Sequence, residues 1–108
     1  MTGHRRPLRR IDLSHHAQTV LNGAIPLYGR LYDVLKNMEW HLEHTPDHPL
    51  AEQIDDEYWL MESRAFLGGQ SLKMPGLTLL YRFDDSTVYV RDVRVLPPPS
   101  IGFVPPYE

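Results

Sequence analysis

Cysteine is absent from the 108 residues. That excludes a disulfide framework, thiolate-ligated zinc, iron–sulfur clusters and thiol catalysis. A cysteine-free chain suits a cytoplasmic protein, and that is the localisation expected. No apolar run approaches the roughly 20 residues that span a bilayer, so no membrane role is expected. Arg5 and Arg6 make the N-terminus basic, but no apolar stretch follows them, which argues against a secretory leader. An excess of positive charge is also missing. The formal net charge is −3, whereas a dedicated nucleic-acid binder usually has a basic total, so the sum weighs against a nuclease.

What is present is ordinary for a small folded domain. The length is room for one domain with one modest core. Hydrophobic residues make up 42% and charged residues 23%, which is globular rather than disordered composition. Ten prolines are many, but five of them fall between Pro97 and Pro106. Residues 1–7 therefore read as a basic arm, 8–96 as the domain and 97–108 as a proline-rich tail.

The small net charge hides a division. Arg5, Arg6, Arg9 and Arg10 share the first ten residues with no acid. Residues 39–62 hold Glu39, Glu43, Asp47, Glu52, Asp55, Asp56, Glu57 and Glu62 with no lysine or arginine. Short-range fields follow nearby charges, so a local basic sector can bind an anion despite the total. Both sectors are equally well explained as solvated surface.

Leu8, Ile11 and Leu13 predict a first strand, placed at a sheet edge because charges interrupt it. Residues 14–23 are polar and read as turn. Tyr28, Leu31, Tyr32, Leu35, Met38 and Leu42 recur at three- and four-residue steps and predict a helix. Pro26 suits its first turn, and Thr45-Pro46 should end it. Leu50 and Ile54 suggest a short second helix over 49–57. Tyr58 to Phe66 fits either strand or helix, with strand preferred. Leu77–Phe83 and Thr87–Val95, separated by Asp84-Asp85-Ser86, predict a β-hairpin. The order is strand, helix, helix and three strands. It predicts an α+β fold, an antiparallel sheet of about four strands with a helix pair on one face.

This order resembles the RelE/ParE superfamily of bacterial toxins. So does the segment Met74–Val93, through Gly76, Leu80, Tyr81, Phe83, Asp84, Asp85, Val88 and Val90. The resemblance implies a toxin of a toxin–antitoxin pair, with an antitoxin-like protein as partner. One branch of the family cleaves messenger RNA on the ribosome, and another poisons DNA gyrase. The ribonuclease branch needs no metal or cofactor. Its arginines and lysines stabilise the charge that develops when a ribose 2′-hydroxyl attacks the adjacent phosphate, and a basic or tyrosyl group near the chain end assists proton transfer. The catalytic set it implies is Arg64, Arg82, Arg91, Arg94 and Tyr107. Two departures stand out. Thr78 occupies a position often held by arginine, and Leu96-Pro97-Pro98-Pro99 replaces the expected terminal basic stretch.

Other readings run beside it. Arg91 and Arg94 point to opposite faces of a regular strand and act together only if a bulge intervenes. Cross-strand pairing of Arg82, Arg91 and Arg94 with Asp84, Asp92 or Glu62 is the plainer account. His41, His44 and His48 beside Glu43 and Asp47 suggest a metal site, although Pro46 breaks the helix between them, and histidines also suit a helix C-terminus. His15 and His16, with Asp12 and Ser14, fit a polar loop better than a triad. Asp55-Asp56-Glu57 and Asp84-Asp85 are explained by turn chemistry. Trp40 and Trp59 read as core or interface anchors. Ile101, Phe103, Val104 and Tyr107 give the tail enough apolar area to pack on the body or on a second copy, as in a homodimer. A non-catalytic, protein-binding member of the fold is the alternative to a ribonuclease.

Overall fold

The computed structural model describes residues 8–67 and 74–97. The elements are β1 (Arg10–Leu13), α1 (His15–Ala24), α2 (Leu31–His44), β2 (Glu52–Gln53), β3 (Trp59–Glu62), a single helical turn α3 (Arg64–Leu67), β4 (Gly76–Phe83) and β5 (Thr87–Leu96). The fold is α+β. The arm 1–7, the stretch 68–73 and the tail 98–108 lie outside the described residues.

The hairpin expected over 77–95 is the centre of the sheet. β4 and β5 pair antiparallel from Gly76 opposite Leu96 to Phe83 opposite Val88. Asp84 closes the turn between them. Its Oδ1 accepts from the Ser86 and Thr87 N–H groups at 2.9 and 2.8 Å, and its Oδ2 accepts from the Tyr89 hydroxyl at 3.1 Å. The Ser86 and Thr87 backbone bonds lead in holding this carboxyl below its ordinary range, with the Ser86 and Tyr89 hydroxyls adding to them. A depressed carboxyl stabilises the fold above its unfolded-state value and loses that contribution as pH falls through its folded-state value. Asp84→Asn should therefore lower the thermal midpoint near neutrality, and its gap from the wild-type chain should narrow as the midpoint is followed down through about pH 4 to pH 2.

Among the described residues the sheet has five strands in the order β1-β5-β4-β3-β2. This corrects the four-stranded antiparallel expectation in two respects. β1 lies at an edge, as expected, but runs parallel to β5, with Arg10 opposite Thr87 and Leu13 opposite Val90. Parallel neighbours need a crossover, and the helices are part of it. β2 adds a two-residue edge against Trp59 and Leu60.

The helix pair is also displaced from the expected positions. Residues 14–23 are not a turn. Ser14 caps α1 by accepting from the Ala17 N–H at 3.0 Å. Ala17, Val20, Leu21 and Ala24 then fall at i, i+3, i+4 and i+7, and they pack in the core. The long helix starts at Leu31, not at Pro26. Residues 25–30 form turns joining the two helices, closed by Leu27 and Tyr28 N–H bonds to the Ala24 carbonyl. α2 ends at His44 ahead of Thr45-Pro46, as expected. No helix forms over 49–57. The Asp55 side chain accepts from the Glu57 and Tyr58 N–H groups and turns the chain from β2 into β3 instead. Leu50 and Ile54 are left exposed.

Both helices contribute to one core. Leu21, Leu31, Val34, Met38 and Leu42 meet Met61, Leu77, Leu79, Tyr81, Val88 and Val90. Trp59 packs against this cluster, whereas Trp40 is exposed, so only Trp59 is a core anchor. Arg9, one of the four arginines of the basic N-terminal sector, is buried. Its Nε donates to the Asp84 carbonyl at 2.7 Å and its guanidinium lies 5.4 Å from the Phe83 ring centre. Among the described residues, no helix is long and apolar enough to cross a membrane.

Candidate functional site

Strand alternation sends Leu77, Leu79, Tyr81 and Phe83 of β4 toward the helices and leaves Thr78, Leu80 and Arg82 on the other face. On β3, Met61 and Trp59 face the core, so Leu60 and Glu62 face away. Among the described residues no helix covers that second face, and the candidate site is built there.

A bulge in β5 sets its composition. Leu80 pairs with Asp92 and Tyr81 with Val90, so Arg91 has no opposite number on β4. Val88 and Val90 point into the core before it, and Val93 and Val95 after it. The extra residue shifts the phase by one. Arg91 and Arg94 therefore share the open face, which a regular strand forbids. Arg82, Arg91 and Asp12 line a hollow of about 220 Å³ with Tyr58, Tyr89 and Ser14. The Arg82 guanidinium sits 4.2 Å from the centre of the Tyr89 ring, and that of Arg91 sits 5.2 Å from the Tyr58 ring. Such stacking fixes the long side chains while leaving N–H groups for an anion.

Arg94 lines an adjoining groove of about 340 Å³ along β3, β4 and β5, with Leu60, Leu80 and Leu96 as apolar lining and Glu62 and Asp92 as acids. Arg64 is not on a strand. It opens α3, its Nη2 donates to the Pro97 carbonyl at 3.3 Å, and it lines a third hollow with Thr78 and Leu96. A Cβ at Gly76 would stand 3.1 Å from the Arg64 guanidinium carbon, so the glycine makes room for this side chain. Arg64 thus packs at the end of the sheet, apart from the hollow that holds Arg82 and Arg91. Tyr107 lies outside the described residues.

The expected ion pairs largely do not form. Arg82 reaches Glu57 at 3.7 Å, with both side chains substantially exposed, a pair of small worth. Among the described residues no carboxylate lies within 4 Å of the charged ends of Arg91 or Arg94. The histidines stay near one another, with the His41 and His48 rings edge to face at 5.8 Å, but their contacts are with aromatic rings and backbone. His44 stacks on Trp40 at 4.0 Å and donates from Nδ1 to the Trp40 carbonyl, and the His48 Nδ1 accepts from the Leu50 N–H. Partial burial, then the charges of His48 and His44, lowers the pKa of His41. No group of three or more histidines and carboxylates is arranged to hold a metal ion among the described residues.

Tyr58 and Tyr89 escaped notice in the sequence as stacking partners. So did the pairing of His16 Nε2 with Asp92 Oδ1 at 3.0 Å across the edge of β5. The phase break was visible in principle. Val88 and Val90 are two apart, Val90 and Val93 three, and Val93 and Val95 two again. No family model, curated protein or solved structure matches the chain.

Proposed function

We propose that the chain is a RelE/ParE-type toxin that acts on RNA through the open face of its sheet, as a metal-independent endoribonuclease on messenger RNA at the ribosome. The observation that carries this reading is the bulge at Arg91. It gathers Arg82 and Arg91 in one hollow, each stacked on a tyrosine, and brings Arg94 to the same face. Guanidinium groups are suited to phosphate and to the crowded charge of an attacked phosphodiester. Tyrosine rings at such a site offer stacking surfaces to unpaired bases. The α+β element order fits the same assignment. An antitoxin-like protein would be the natural partner.

Induced expression in a bacterial host should arrest growth and fragment transcripts, and coexpression of a cognate antitoxin should relieve both. Purified protein should bind single-stranded RNA with an affinity that falls as salt rises. Harmless expression with intact transcripts and no RNA binding refutes the proposal.

One observation favours a protein-binding role instead. Tyr32 and Trp40 are eight residues apart on the exposed side of α2, and both are about half exposed (52% and 54%). Aromatic residues so placed anchor protein interfaces. Under that reading the chain holds a partner such as gyrase, without nuclease activity. Tyr32→Ala and Trp40→Ala would then abolish growth arrest while Arg91→Ala would not.

A further inference from the structure

Among the described residues, no strand lies beside the edge of β5 beyond Val90 on the β1 side. Ser14, Asp92 and His16 occupy it. The Ser14 N–H bonds to the Val90 carbonyl at 2.9 Å, and the Ser14 hydroxyl donates to the Arg91 carbonyl at 2.6 Å. Asp92 Oδ1 accepts from the Val93 N–H at 2.8 Å and lies 3.0 Å from His16 Nε2. The last contact is not needed to close the edge, because Asp92 already satisfies Val93. As an ion pair it contributes little, with side chains 67% and 51% exposed.

Its position is more informative. Asp92 lines the groove that contains Arg94, and its chain neighbour Arg91 lines the hollow that contains Arg82 and Tyr58. Asp92 therefore stands where the two halves of the open face join, and its carboxylate holds His16 at that edge of the sheet. With Nε2 donating to the carboxylate, the lone pair of the ring falls on Nδ1. A carboxylate that fixes the tautomer of an exposed imidazole is the arrangement that makes histidine a directed base.

We propose that His16 is the general base of the RNA cleavage assigned above, and that Asp92 is its positioning residue. This rests on that assignment. His16 Nδ1 takes the proton of a ribose 2′-hydroxyl. The freed oxygen bonds to the adjacent phosphorus, and the P–O5′ bond breaks. The imidazolium then returns its proton, through one water, to the departing 5′-oxygen. The products are a 2′,3′-cyclic phosphate and a 5′-hydroxyl, with His16 restored, and no oxidant, reductant or metal enters the balance. Arg91 and Arg94 flank the phosphate that gains charge. The base thus comes from the start of α1 and not from the end of the chain.

The test uses the full chain in a translating extract, with a reporter messenger RNA read by primer extension and a labelled single-stranded RNA for affinity. His16→Gln should lose about 100-fold or more in cleavage rate, and Asp92→Asn about tenfold. Both should keep RNA affinity within about threefold and the thermal midpoint of the wild-type chain. Fragments should carry 2′,3′-cyclic phosphate ends. His16→Gln cleaving at the wild-type rate overturns the proposal. Equal loss of cleavage, RNA affinity and thermal midpoint overturns it too, by assigning the pair to the strand edge. If the wild-type chain neither binds nor cleaves RNA, the parent assignment fails first. If it cleaves and His16→Gln cleaves as well, only the base is misassigned.

Discussion

Tyr81→Ala is expected to cost about 3–5 kcal/mol of folding stability, and Tyr81→Phe about 1–3 kcal/mol. Tyr81 is fully buried on the core face of β4. Its ring centre lies 6.4 Å from that of Phe83, and its hydroxyl donates to the carbonyl of Pro46, just past the end of α2. One side chain therefore ties the central hairpin to the helix layer. Burial, then the nearby Asp47 charge, raises its phenol pKa well above the ordinary value, so the hydroxyl remains a donor at any pH near neutrality. Alanine removes the ring and leaves a cavity. Phenylalanine keeps the ring but orphans a buried carbonyl. The total stability of such a domain is only about 5–15 kcal/mol, so the alanine variant should be visibly destabilised at room temperature. Urea unfolding curves of the three proteins measure both steps. A phenylalanine variant as stable as the parent would show that the bond to Pro46 contributes nothing.

The parts of this architecture that were legible in the sequence are those where apolar spacing is unambiguous. β-branched runs on either side of Asp84-Asp85-Ser86 specify the hairpin, and Leu31, Leu35, Met38 and Leu42 specify α2. α1 was hidden because its exposed face is rich in polar side chains. Only Ala17, Val20, Leu21 and Ala24 show the stripe, and two of these are small. The segment 49–57 misled in the opposite way. Leu50 and Ile54 have helical spacing but stay exposed, and the Asp55 turn overrides them. Spacing reports burial only when a partner surface exists, and none of the core elements reaches these two residues.

The site was legible residue by residue but not as an arrangement. Arg82, Arg91 and Arg94 stood out as cations on strands, yet strict alternation separates the last two. Their gathering depends on a single extra residue, whose trace is the three-residue step from Val90 to Val93. Arg64 was placed on a strand because alternation continues through Ser63, whereas the chain turns there. The Ser63 hydroxyl accepts from the Leu77 N–H at 2.9 Å, and the strand gives way to α3. Tyr58 and Tyr89 were invisible as functional groups, and His16 was weighed only beside Asp12 and Ser14, because their partners Arg91, Arg82 and Asp92 lie on other elements of the chain.

Removing that one residue should separate the fold from the RNA cleavage proposed for it. Without Arg91, β5 reads Val88, Tyr89, Val90, Asp92, Val93, Arg94, Val95, with every valine in the same phase. Regular pairing with β4 then keeps the valines in the core and Tyr89, Asp92 and Arg94 on the open face. The deletion is expected to fold, at a cost of about 1–2 kcal/mol for the lost bond to Ser14 and local adjustment of the edge. RNA cleavage should nevertheless fall by about 10²–10³-fold, the loss expected when one preorganised donor to a developing charge is removed. Arg91→Ala, which keeps the bulge, should fall as far with less effect on stability. Arg91→Lys should recover only part of the rate, because an ammonium cannot reproduce the planar stacking on Tyr58. Arg30→Ala is the control. Arg30 is exposed at the start of α2, paired with Asp33 and outside all three hollows, so its loss should leave cleavage unchanged. The rates come from primer extension on a translated messenger RNA and the stabilities from urea titration. Wild-type cleavage by Arg91→Ala would leave the bulge as a device of strand twist alone and remove the basis for assigning the open face to RNA.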